Sequence, residues 1–186
     1  MAVPSKYMQS VIDAAKGRPK STAWFRDKIR EFGTPKGMNL IRDGKKAARP
    51  FYGNLNMFFY DPKFKKTLPY YDRFPLVLPI ERYSDGFLGI NLHYLPIPLR
   101  IRLLDELMDY STDTKFDSKT KINANYSRLK NVGLIKPTLK RYLAGKVKSR
   151  FRKVDADEFT VATLLPVQRF SKAKSKTVWS DSRSMI

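Results

Sequence analysis

The run Phe74-Pro75-Leu76-Val77-Leu78-Pro79-Ile80-Glu81-Arg82-Tyr83, the turn Ser84-Asp85-Gly86, and the run Phe87-Leu88-Gly89-Ile90-Asn91-Leu92-His93-Tyr94-Leu95 carry the decisive pattern. Two apolar segments flank a short polar turn whose glycine permits a tight reversal, which predicts a β-hairpin. Pro75 and Pro79 each lack the N–H that a ladder requires, so the first arm is expected at a sheet edge or with a bulge. His93 sits between Leu92 and Tyr94 in the second arm, the setting of a structural histidine.

Upstream, Leu55, Met57 and Phe59 alternate with Asn54, Asn56, Phe58 and Tyr60, a strand period that Asp61-Pro62 ends. Downstream, Pro98 suits the first turn of a helix reaching Tyr110, with Ile101, Leu104, Leu107 and Met108 inward and Arg100, Arg102, Asp105 and Asp109 outward. Residues 111–121 read as polar loop, with a short helix around Tyr126 and Leu129. Pro137 to Leu143 reads as a helix stopped by Gly145. Val147 to Arg152 and Phe159 to Leu165 read as strands, with Asp155 to Glu158 a helical turn between them. Before the hairpin, Tyr7, Met8, Val11 and Ala15 form one helical stripe, beginning at Pro4 or Ser5 and ending at Gly17. Trp24, Phe25, Ile29 and Phe32 form another, capped by Ser21 and closed by Gly33. Thr34 to Pro50 reads as a linker, and Ser171 to Ile186 as a basic tail with a short helix around Val178 and Trp179.

These elements predict an α+β fold: a small, strongly bent β-sheet or partly open barrel of SH3 or OB size, with flanking helices and extended basic arms. Charge follows the same division. The net charge of +20 comes from residues 1–50 and 111–186, whereas 51–110 carry seven basic and seven acidic side chains. The expected organisation is a basic helical arm and linker over 1–50, a β-rich core with inserted helices over 51–170, and a basic tail over 171–186. With 42% hydrophobic residues, 12 Phe and 10 Tyr, the chain has the material for a core.

An excess of this size repels itself unless a polyanion is near, and nucleic acid is the leading candidate. Lys136, Lys140, Arg141, Lys146, Lys148, Arg150, Arg152 and Lys153 form a run with no acidic member; on a strand, Lys148, Arg150 and Arg152 would share a face and track a phosphate backbone. A solvated face is the plainer reading. Tyr52, Phe58, Tyr60, Tyr70 and Tyr71, near Lys63, Lys65, Lys66 and Arg73, could stack on bases, although alternating aromatics on strands more often pack a core. Trp24, Phe25, Ile29 and Phe32 are candidate anchors for a protein partner.

Without cysteine, disulfides and thiolate chemistry are excluded, and one histidine leaves no zinc site of ordinary composition. Asp113-Thr114-Lys115 and Asp117-Ser118-Lys119 have the acid-x-Lys spacing of metal-dependent nucleases, but they fall in loop and lack an upstream acidic partner. No phosphate loop or nucleophile elbow is present. No cofactor is expected, and catalysis is not. The first dozen residues lack a secretory apolar stretch, and Phe87 to Leu99 falls short of the ~20 residues that span a bilayer, so no membrane association is expected.

Phe59-Tyr60-Asp61-Pro62-Lys63, Leu68-Pro69-Tyr70-Tyr71-Asp72-Arg73-Phe74-Pro75-Leu76-Val77 and Gly86-Phe87-Leu88-Gly89-Ile90-Asn91-Leu92-His93-Tyr94-Leu95-Pro96, with Trp179-Ser180-Asp181-Ser182-Arg183, resemble a small protein of T4-like and related contractile-tailed bacteriophages. The resemblance implies a phage gene product, a virion component of the tail, baseplate or neck, assembled in the host cytoplasm among other virion proteins. It supplies no catalytic residues. Two further readings stand beside it: a nucleic-acid-binding accessory that protects DNA ends or aids genome processing, and a nuclease using Asp113 or Asp117.

Overall fold

The hairpin forms as β4 (Leu76–Tyr83) and β5 (Gly86–Asn91), with Tyr83 opposite Gly86. In the computed structural model, which describes residues 7–15 and 21–186, it is the centre of a six-stranded antiparallel sheet. Its order is β1 (Lys46–Ala47), β7 (Phe151–Val154), β2 (Leu55–Met57), β4, β5 and β6 (Leu139–Leu143). The sheet is open, not a closed barrel, and the fold is α+β. β4 lies inside the sheet; Pro75 falls just before it, and the irregularity that Pro79 demands appears as a register shift between Pro79 and Glu81. Gly86 is required by proximity: a Cβ there would strike the carbonyl oxygen of Tyr142 on β6. A separate ribbon pairs β3 (Tyr71–Asp72) with β8 (Phe170–Ser171).

Both faces of the sheet are apolar because alternate residues of each strand feed different clusters. Leu55, Met57, Leu76, Leu78, Ile90 and Val154 face the main core. There they meet α1 (Tyr7–Ala15), α2 (Thr22–Phe32), α4 (Ile97–Met108) and α7 (Phe159–Leu164). Phe58, Tyr60, Val77, Phe87, Tyr142 and Phe151 form a smaller cluster on the other face. Phe58 is its hub, 4.8 Å from Phe151 and 5.3 Å from Tyr142 between ring centroids, geometry that adds roughly 0.5–1.5 kcal/mol per pair beyond burial.

Several expectations are corrected. The residues read as a linker contain α3 (Gly37–Asp43) and β1, and Leu40 and Ile41 are buried. Within 1–50, Tyr7, Met8, Val11 and Ile29 also join the main core, so the described part of this segment is folded onto the sheet and does not extend as an arm. Pro4, Ser5 and Gly17, expected to bound the first helix, lie outside the described residues. α5 (Tyr126–Leu129) forms as expected. The helix expected at 137–143 is a single turn, α6 (Ile135–Thr138), followed by β6, because the free edge of β5 offers Leu139 to Leu143 a complete ladder.

Phe159 to Leu165 is helical, not a strand. Asp155 and Glu158 form a capping box, and the turn Ala156–Glu158 runs directly into α7, so local capping overrides the β-branched residues. The tail becomes α8 (Ser175–Met185), held by fully buried Val178. Trp179 donates its Nε1–H to the carbonyl of His93 at 3.0 Å. Arg100, expected outward, is fully buried. Its guanidinium donates to the carbonyl of Leu95 and to Gln168 Oε1 and lies 5.5 Å from the centre of the Trp179 ring.

His93 stands in a 3-10 turn (Leu92–Tyr94), not a strand, with Nδ1 2.7 Å from Asp72 Oδ2. Burial alone would raise the Asp72 carboxyl; the imidazole and the N–H groups of Arg169 and Phe74 hold it below the usual carboxylate range. Burial pushes His93 down, so at neutral pH a neutral imidazole donates to a carboxylate. Both groups are buried completely, which makes them a structural pair.

Candidate nucleic-acid interface

The structure divides the eight expected polyanion contacts. β7 begins at Phe151, so Lys148 and Arg150 precede the strand, and the expected single face over Lys148, Arg150 and Arg152 does not form. Arg152 is 6% exposed and bonds Glu158 Oε1 at 2.9 Å, while Lys153 is 8% exposed and pairs with Asp155. Both are used within the fold. Lys140 lies on β6 with Nζ 4.0 Å from the centre of the Tyr94 ring, and burial pushes its ammonium down to about 8. Arg141 pairs with Asp85 and covers Tyr83. Lys136, Lys148 and Arg150 are exposed, and Lys146 is half-buried.

Lys148 and Arg150 line a cleft of about 720 Å³ on the side of the sheet that carries the smaller cluster. Residues 48–52 form one wall, the hairpin turn at 82–86 a second, and residues 144–151 the third. The first wall is fixed by Asn56, whose side chain accepts from Phe51 N at 2.8 Å and donates to Phe51 O at 2.9 Å. The second and third are tied by Ala144 N–H donating to Asp85 O at 2.9 Å. Phe87 and Phe151 reach the cleft from the buried cluster and give it a rigid floor.

Around this floor stand four exposed cations: Arg49, Arg82, Lys148 and Arg150. None of the four belongs to an ion pair among the described residues, so their charge is available to a ligand. The Arg82 guanidinium stacks 4.8 Å from the centre of the Tyr52 ring, and the Arg141 guanidinium 4.0 Å from that of Tyr83. The rim therefore presents the Arg82–Tyr52 stack above an apolar base, a combination of cation and planar surface that suits phosphates and bases together, whereas Arg141, opposite Leu88 on the ladder, belongs to the other face of the sheet.

Of the other aromatics expected to stack, Phe58 and Tyr60 are buried, and Tyr70 packs against Tyr94 and Phe170. Lys63, Lys65, Lys66 and Arg73 are exposed. Among the candidate partner anchors, Ile29 belongs to the core, Phe25 packs against it, and Trp24 meets Phe25 edge-on at 5.2 Å. Phe32 is 45% exposed.

Asp113 and Asp117 hold their own loop. Asp113 accepts from Lys115 N and Thr120 Oγ1, which keeps its carboxyl below the usual range, and Asp117 accepts from Lys119 N. Among the described residues no cluster of three or more acidic or histidine side chains could hold a metal, and no helix is long and apolar enough to cross a membrane.

With this geometry in view, comparison with known proteins gives one match: the family described as phage T4 terminal DNA protecting protein, over residues 6–182. The chain belongs to this family. No curated protein and no solved structure matches it.

In this member of the terminal DNA protecting family, the cleft brings together residues distant in sequence. Arg49, Arg82 and Tyr83 were not among the residues that the sequence singled out. Arg49 sat in an apparent linker, and Arg82 and Tyr83 at the end of a strand read only for its hairpin. The available signal is position: Arg82 and Tyr83 directly precede the turn, at the exposed end of the ladder.

Proposed function

We propose that the chain binds the ends of phage DNA and shields them by occupancy, with the cleft around Arg82, Lys148 and Arg150 as the contact. The observation that carries this reading is the concentration of four cations, none in an ion pair among the described residues, around an aromatic floor, in a chain whose family is described by terminal DNA protection. Protection of this kind needs no catalytic group: a nuclease that must engage a terminus is excluded while the terminus is covered.

The family description favours this reading over the tail, baseplate or neck component expected first. An end-bound protein would travel with the DNA in the virion and meet other virion proteins there. Phe32, 45% exposed, is the apolar residue we assign to such a contact. Lys136 and Lys146 would add long-range attraction around the cleft.

The test compares a linear duplex with a covalently closed duplex of the same sequence, by binding and by exonuclease challenge. The wild type should bind the open duplex more tightly and slow its digestion. Replacing Arg82, Lys148 and Arg150 together by Ser should remove protection and flatten the salt dependence by about 0.9 log units for each phosphate no longer neutralised. Equal affinity for open and closed DNA would refute end binding, and an unchanged salt slope would move the binding surface away from this cleft.

A further inference from the structure

An end differs from the interior of a duplex in few physical ways, and the cleft selects one of them. Its volume of about 720 Å³ falls in the range of roughly 300–1,000 Å³ typical of small-ligand sites, room for about one or two nucleotides. Its planar surface is the Arg82–Tyr52 stack at the rim, and unpaired bases, unlike paired ones, are free to stack on aromatic rings and guanidinium planes. The bond from Ala144 to Asp85 joins two walls at the hairpin side.

We propose that the cleft takes an unpaired terminal nucleotide, so that the chain recognises ends by single-stranded character: an overhang directly, and a blunt end only when its last pair frays. This rests on the end-binding reading and specifies its ligand. Tyr52 provides the stacking surface, Arg82 holds one face of its ring and presents charge, and Lys148 and Arg150 meet the terminal phosphates.

The test uses hairpin-closed duplexes with one open end, finished as a blunt G·C pair, a two-nucleotide 3′ overhang or a two-nucleotide 5′ overhang, with a closed dumbbell as the endless control. At least one overhang should bind about tenfold or more tightly than the blunt end, a ratio within reach of one stacked base. Tyr52→Ala should shrink that ratio. Tyr52→Phe should retain it, since the ring remains. Equal binding of blunt and overhanging ends, both tighter than the dumbbell, would overturn this inference and leave end binding intact. Binding no tighter than the dumbbell for any end would overturn both. A preserved overhang preference in Tyr52→Ala would also overturn this inference.

Discussion

Lys140 shows how the fold spends one of its many positive charges. It lies on β6 over the Tyr94 ring, largely removed from water, and burial lowers its ammonium to about 8 from an ordinary value of 10.5. Because the folded value lies below the unfolded one, folding expels a proton between these pH values. The resulting destabilisation is full below about pH 8 and fades as pH rises towards 10.5. Lys140→Met, which keeps the stem and removes the charge, should therefore raise stability by about 1–2 kcal/mol at pH 7. Urea unfolding at pH 7 and pH 9.5 checks this: the gain should shrink at the higher pH. A run of basic residues cannot be read as a surface without knowing its strand register; Lys140, Arg152 and Lys153 come from the same run as Lys148 and Arg150 and face the interior.

At the scale of elements, the join between β7 and α7 is the most tightly specified. Glu158 accepts from Asp155 N at 3.0 Å, completing the capping box, and also pairs with Arg152 Nη2 at 2.9 Å. Glu158→Ala removes the cap and strands the Arg152 guanidinium, which should cost about 3–5 kcal/mol, measured as a lower urea midpoint with an unchanged slope. The same join marks where sequence reading succeeded and failed. The hairpin, α2 with its Ser21 cap and Gly33 stop, and α4 were legible because each carries its own start or stop signal. α7 reads as a strand in isolation because Thr160, Val161 and Thr163 are β-branched, and the capping turn before it decides for helix. β6 was hidden because a strand at a sheet edge is defined by its neighbour. Half of the cleft was legible for a related reason: Lys148 and Arg150 announce themselves as charge, whereas Arg49 and Arg82 matter only once the sheet brings them beside it.

Over the whole molecule, the charge division and the packing division do not coincide. The basic first fifty residues supply Met8, Val11, Ile29 and Leu40 to the main core and β1 to the sheet, where Ala47 pairs with Phe151. Deleting them should abolish cooperative thermal unfolding, whereas a dispensable arm would leave a sharp transition; circular dichroism melting distinguishes the two. A second long-range tie runs from Asn54 Nδ2 to the carbonyl of Val154, 100 residues later, beside the pairing of β2 with β7. Because the sheet closes only when so distant a strand returns, synthesis has an order built into it. While the ribosome is still adding residues near 140, the hairpin can fold, but the cleft's third wall and its floor residue Phe151 have yet to be made. The wall that carries Lys148 and Arg150 is therefore the last part of the cleft to be made.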